Sequence, residues 1–267
     1  MVFPFNFWLV TAVAFIISAI GFKNYIWFFS IGYGLSIAGE GLLLLLLYGR
    51  TLTAGTALCC LIFIVYGLRL GGYLAYREVK LKSYPKHLGA ELKDSKTIPM
   101  AAKISIWFFC AVLYVTMVSP VFYRLSNGSG SSAATYVGAA LMLLGFMMET
   151  YADQQKKAAK AVNPHRFVDT GLYRIVRCPN YLGELIFWTG VILSGIGGLS
   201  GVGQWIMALL GYAGIVFVMF SGARRLEIRQ NKNYGADPEY QQYVKTVPIM
   251  IPFIPLYSVE KYKWLVA

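Results

Sequence analysis

The chain has 267 residues, of which 57% are hydrophobic and only 13% charged, with a mean hydropathy of +0.57. Soluble globular chains carry about 25% charged residues, so this composition excludes an ordinary water-soluble fold and points to an integral membrane protein. The formal net charge of +12 is explained by loop cations and contact with anionic lipid, and no nucleic acid partner is needed to account for it.

Apolar stretches recur along almost the whole length. Spans of roughly 20 residues, the length that crosses a ~30 Å hydrocarbon core, are expected at about 5–22, 25–48, 54–76, 101–123, 133–153, 181–199 and 203–224. The first is too long for a removed signal peptide and is followed by no small-residue cleavage site. The fold expected is therefore all-α, a bundle of about seven transmembrane helices in a single membrane domain. Within it, residues 1–76 and residues 101–257 form two stretches joined by the mixed-charge segment 77–100.

Twenty-one of the 24 lysines and arginines fall on the side reached after spans 1, 3, 5 and 7. The exceptions are Arg50 and Arg124 opposite, and Arg69 within a span. The positive-inside bias then places the amino terminus outside and the carboxyl terminus in the cytoplasm. A bacterial inner membrane and an endoplasmic reticulum would show the same bias. Cys59, Cys60 and Cys110 lie in apolar spans and Cys178 on the reducing side. With no CxxC pair and two distant histidines, His87 and His165, neither a disulfide framework nor a metal site is expected.

Polar residues inside the spans mark the chemistry, because a charge at bilayer depth costs at least ~2.5–3.5 kcal/mol. Glu40 is the sole acidic residue before position 78, and after Gly41 it is followed by six consecutive leucines. In its protonated form it could donate a proton or a hydrogen bond; equally, it could be a structural partner of Arg69 or a tyrosine. Tyr66, Arg69, Tyr73 and Arg77 recur at helical spacing on one face of span 3. A tyrosine stripe of this kind is usually packing, but an arginine beside it normally faces a cavity or an anion.

Span 5 ends in Glu149, Asp153, Gln154, Lys156, Lys157 and Lys160, and the next span opens with Asn180 and Glu184. Arg166, Arg174, Arg177, Arg225 and Arg229 surround them in sequence. Carboxylates and amides suit ribose hydroxyls or a carboxamide, and arginines clamp phosphates through a planar fork. The set fits a nucleotide with a phosphorylated ribose. Gly32-Tyr33-Gly34 is a lone GxG inside a span and is read as a helix-contact position rather than a nucleotide fingerprint. The tail, with Tyr234-Gly-Ala-Asp-Pro-Glu-Tyr240 and Val247-Pro-Ile-Met-Ile-Pro-Phe253, is too apolar to float free and is expected at the interface.

Gly171-Leu-Tyr-Arg-Ile-Val-Arg-Cys-Pro-Asn-Tyr-Leu-Gly-Glu184, with Asp153-Gln154 upstream and the Tyr-Gly…Val-Pro…Ile-Pro-Phe tail, resembles the carboxyl-terminal signature of the steroid 5α-reductase superfamily and its sterol C=C reductase relatives. The resemblance covers roughly residues 60–257. It implies a seven-helix membrane enzyme that holds NADPH and reduces a conjugated C=C bond in a hydrophobic enone, such as a 3-oxo-Δ4 steroid, taken from the bilayer. It places Asp153, Asn180 and Glu184, with Lys157, Lys160 and Arg166, on the cofactor, Arg69 beside the substrate, and Glu40 and Tyr66 on the reacting carbonyl; the chemistry of the polar cluster adds Glu149, Arg174, Arg177, Arg225 and Arg229 to the expected cofactor set, and Tyr33 and Tyr73 are expected on the substrate. Two positions depart from the pattern. Glu40 lacks the family's Gln-Glu context, and Cys178 stands where a histidine commonly precedes the proline. The neighbouring isoprenylcysteine carboxyl methyltransferases share the tail pattern, which makes an S-adenosylmethionine-dependent membrane methyltransferase the alternative.

Overall fold

The structure, a computed structural model, describes residues 2–80 and 98–265, apart from the side chains of residues 74 and 77–80. The Arg77 side chain, His87 and the cations expected between residues 80 and 96 lie outside the described residues. All regular structure among the described residues is helical. The helices are α1 (Phe5–Ser18), α2 (Ile31–Tyr48), α3 (Ala54–Lys80), α4 (Met100–Ser126), α5 (Ala133–Val162), α6 (Pro179–Gly195), α7 (Gly201–Tyr234) and α8 (Pro238–Thr246), with short 3₁₀ turns at Ala19–Phe22, Tyr25–Phe28 and Gly171–Arg174.

Among the described residues six segments are long and apolar enough to cross a membrane: Phe5–Phe22, Tyr25–Tyr48, Ala54–Tyr73, Met100–Ser126, Ala133–Val162 and Gly201–Tyr234. The segment expected at 181–199 is instead the 17-residue α6, which rises ~26 Å at 1.5 Å per residue, short of the ~30 Å hydrocarbon core. Its start is set by Pro179, which suits a first helical position where no N–H is needed. Helix α7 runs on to Tyr234, ten residues past the expected end of its span. Arg225, Glu227 and Arg229 therefore stand on a helix and not in the tail. Asp237 caps the last helix by accepting from the Glu239 N–H at 2.9 Å, with Pro238 behind it.

The chain divides into two compact units, one of Met1–Ala139 with Val191–Tyr212, the other of Ala140–Gly190 with Ala213–Ala267. In the first, α2 and α3 pack at backbone contact. A Cβ on Gly67 would stand 2.2 Å from the Gly34 carbonyl oxygen, and one on Gly41 would stand 2.9 Å from that of Cys60. Only glycine permits so close an approach. Arg124, 1% exposed, gives its guanidinium to the carbonyls of Ser194 (2.6 Å), Gly130 (2.5 Å) and Ile196. That places a cation at the carboxyl end of α6, where helix carbonyls lack partners.

In the second unit α5 and α6 cross at Gly145 and Gly183. A Cβ on Gly145 would lie 2.4 Å from the Gly183 oxygen and from the Phe187 nitrogen, and one on Gly183 would lie 2.7 Å from the Glu149 nitrogen. Residue 145 thus meets 187 and residue 149 meets 183, so the two helices run antiparallel. The following tail returns to the start of α6, where the N–H groups of Arg177 and Cys178 donate to the carbonyls of Pro248 and Ile249, both at 2.9 Å.

Candidate functional site

The antiparallel crossing decides what the second unit presents. Glu149 and Glu184 are buried at the crossing, at 4% and 7% exposure, with the Gly183 backbone against Glu149. One turn further along α5 stands Asp153, and one turn back along α6 stands Asn180, both half-buried. Lys156, three residues after Asp153, lies within electrostatic reach of Asp153, Cys178, Lys160 and Arg229. Tyr181 lies within the same reach of Cys178, Arg225, Glu184 and Arg229. Arg225 and Arg229 share a face of α7 because they are four residues apart, and Ser221 precedes them on that face. Its hydroxyl is buried without a hydrogen-bond partner among the described residues. The neighbouring Gly222 leaves Tyr181 room, since a Cβ there would approach its ring to 3.3 Å.

The cations that the sequence assigns to a nucleotide fall into two groups. Three are committed to the protein itself. Lys160 donates to the Pro164 carbonyl at 3.1 Å, to the Arg166 carbonyl at 2.5 Å and to the Tyr234 hydroxyl at 2.8 Å. Arg166 is exposed and bridges Glu239 at 2.6 Å and Asp169 at 2.9 Å; these two carboxylates, Glu239 foremost, raise its pKa above the ordinary arginine value. Arg177 is 1% exposed and pairs with Glu227 at 2.9 Å while also donating to the Tyr257 carbonyl. Lys157, Arg174, Arg225 and Arg229 are exposed, and none forms an ion pair among the described residues.

Lys156 is a member of this neighbourhood that the sequence pattern left out of its assignments. Its signal was present, because i, i+3 from Asp153 and i, i+4 to Lys160 place it on the facing stripe of α5, whereas Lys157 points to the exposed side. Glu227 was also missed. As a carboxylate on the assumed tail it drew no attention, but on α7 it holds both Arg177 and the Val259 N–H, the latter at 2.8 Å.

Cys178 is buried behind this arrangement. Burial pushes its thiol up to about 12 against the favourable influence of Arg177 and Lys156, so it carries no charge at neutral pH. Tyr173, whose hydroxyl donates to the Ala152 carbonyl at 3.3 Å, is raised by burial and then by Asp153 and Cys178. Tyr243 donates to the Tyr173 carbonyl at 2.7 Å and is likewise raised by burial. These groups act as a neutral wall rather than as ionised ligands.

The first unit holds the other candidate residues. Tyr33 and Glu40 are two turns apart on α2 and both are buried; Tyr66 on α3 is fully buried. The Tyr33 and Tyr66 hydroxyls lie 3.4 Å apart, and the Tyr33 ring stacks on Tyr114 at 5.2 Å. Neither carboxyl oxygen of Glu40 has a hydrogen-bond partner among the described residues, so it is not tied to Arg69. Arg69 and Tyr73 are half-buried further along α3. A buried carboxyl without a partner is costly in a fold that only needs to pack.

Among the described residues no group of histidine, cysteine, aspartate and glutamate could hold a metal ion. The helices define an all-α, multi-pass membrane protein. Residues 14–247 match the family described as protein of unknown function (DUF1295), and the chain belongs to that family. No curated protein and no solved structure matches it.

Proposed function

We propose that the chain is an NADPH-dependent reductase of the steroid 5α-reductase type, saturating a C=C bond conjugated to a carbonyl in a hydrophobic molecule drawn from the bilayer. In this reading α6 completes a set of seven membrane helices, with the amino terminus outside and the carboxyl terminus cytoplasmic. The observation that carries it is the gathering of Asp153, Lys156, Tyr181, Glu184, Arg225 and Arg229 in one neighbourhood of the second unit. The buried unpartnered Ser221 hydroxyl lies on the same face.

That donor set fits a dinucleotide. Lys156, Arg225 and Arg229 offer cations to phosphates. Asp153, Asn180 and Glu184 offer acceptors and an amide to ribose hydroxyls and a carboxamide, with Glu149 behind them at the crossing. When bound, NADPH would supply the reducing equivalent for the double bond. In the first unit, Tyr66 and Glu40 act on the substrate carbonyl. Each offers it a hydrogen bond that draws electron density from the β-carbon, and their burial removes competing water. Tyr33 holds the Tyr66 hydroxyl in place, and Arg69 and Tyr73 orient the rest of the substrate.

The test is NADPH oxidation by the purified protein across a panel of hydrophobic enones, together with protection against heating. NADPH at ~100 times its dissociation constant should add ~2.7 kcal/mol of stability. Protection by S-adenosylmethionine with none by NADPH would replace the reductase with a membrane methyltransferase.

A further inference from the structure

In the second unit the chain turns back after Tyr257 and runs along α7 toward that helix's apolar part. At the start of the return the Val259 N–H donates to Glu227 at 2.8 Å and the Asn231 amide to Glu260 Oε2 at 2.7 Å; Arg224 then spans the strap, with Nε donating to the Glu260 carbonyl at 2.9 Å and Nη1 to the Leu265 carbonyl at 3.0 Å. At the far end the Trp264 ring stacks on Phe217 at 6.2 Å and 26°. Phe217 belongs to the membrane-spanning segment Gly201–Tyr234, so Trp264 is carried to the level of a lipid-facing helix.

Three features fit this strap to the headgroup layer. Trp264 is 67% exposed, and an exposed indole beside lysines is the composition of the membrane–water boundary. Three of its backbone donors are satisfied within the strap: Tyr262 N–H donates to the Val259 carbonyl at 3.1 Å, Lys263 to Lys261 at 3.0 Å and Leu265 to Tyr262 at 3.0 Å, which suits a low-dielectric boundary. The one acid, Glu260, is exposed and keeps its charge while accepting from the Asn231 amide, so the two exposed cations Lys261 and Lys263 leave the strap net positive. Lys261 lies over the Tyr262 ring at 5.2 Å.

We propose that residues 257–265 lie in the headgroup layer and that Lys261 and Lys263 form a binding surface for anionic phospholipid, with Trp264 as its apolar anchor. The surface is separate from the nucleotide neighbourhood and does not depend on the reductase reading. Its occupant is the surrounding bilayer, because the strap is fixed to a membrane-spanning helix and its exposed charge is positive.

The four native cysteines are buried, so a Trp264→Cys variant of the full chain takes an environment-sensitive fluorophore at one place. In single-copy nanodiscs the expected result is blue-shifted emission, quenched by lipids carrying a headgroup-level quencher. Wild-type protein should also retain phosphatidylserine over phosphatidylcholine by about 30-fold, the equivalent of ~1 kcal/mol per lysine, and the Lys261→Gln/Lys263→Gln variant should lose that preference with an unchanged melting temperature in detergent. Water-like emission in the disc would overturn the proposal, as would a lipid preference that survives the double substitution. Shielding that appears only when two copies share a disc would assign the surface to a second chain and overturn it too. Competition by free phosphate as effective as by lipid would reduce the surface to an anion site, against the proposal.

Discussion

Arg177 and Arg229 carry the same charge and differ in what holds them. Arg177 is enclosed with Glu227 at 2.9 Å, so Arg177→Ala would leave a buried carboxylate without its counter-charge, a loss of ~3–5 kcal/mol; thermal unfolding in detergent should show it directly. Arg229 is exposed and has no ion pair among the described residues. Arg229→Ala should keep the melting temperature within ~0.5 kcal/mol of wild type while weakening NADPH by about tenfold or more, the worth of a charged hydrogen bond. Equal effects on stability and affinity in both variants would erase the distinction between the two arginines. Tyr66→Phe removes a single hydroxyl 3.4 Å from that of Tyr33. The expected outcome is unchanged NADPH affinity with turnover of an accepted enone slowed ~10²–10³-fold, as for loss of one donor to a developing oxyanion. Full turnover would remove Tyr66 from the reacting carbonyl.

At the scale of elements, glycine spacing determines which side chains meet. The α5–α6 crossing depends on Gly145 and Gly183, whose missing side chains let backbone touch backbone. Gly183→Val would drive a Cβ to 2.7 Å from the Glu149 nitrogen and 2.8 Å from the Gly145 oxygen. Neither is a flexible atom that can move aside, so the helices must separate. The expected cost is ~1–3 kcal/mol, accompanied by loss of NADPH protection, because Glu149 and Glu184 sit at the same crossing. Gly72 has nothing within 4 Å of its missing Cβ; Gly72→Ala should be neutral or stabilising by up to ~1 kcal/mol. Melting curves of the two variants, with and without NADPH, make the comparison. The helical extension of α7 belongs to the same scale. It converts Arg225 and Arg229 into one stripe and Arg224, Glu227 and Asn231 into another, the second holding the tail.

For the molecule as a whole, buried acids that must stay protonated set a limit at alkaline pH. Cys178 is shifted by burial from 9.0 to about 12 and Tyr240 from 10.0 to about 12; Tyr173 and Tyr243 move in the same direction. A raised folded-state pKa means that the contribution is complete below the unfolded value. It is then lost as pH climbs toward the folded value, because the unfolded chain releases its protons first. Stability should therefore begin to fall near pH 9, and Cys178→Ala should flatten the decline between pH 9.0 and 10.0, measured as the melting temperature at each pH. An equally steep decline in that variant would assign the early loss to other groups.

Sequence by itself determined the solvent and the elements. Apolar runs of membrane length and the absence of water-soluble composition fixed six of the spans, because a helix in lipid must satisfy its own backbone and show apolar side chains all round. It also picked out Glu40, Asp153, Asn180 and Glu184, since polar groups in such runs carry a cost that periodicity makes visible. The short α6 and the long α7 were misjudged at their ends, where hydropathy fades but helical hydrogen bonding continues. The three-dimensional arrangement was needed to sort the cations, since among the described residues Arg225 and Arg229 form no ion pair. Arg177, Arg166 and Lys160 look like Arg225 and Arg229 in one dimension; a partner 50 or 73 residues away occupies the first two, and no local pattern encodes so distant a pairing.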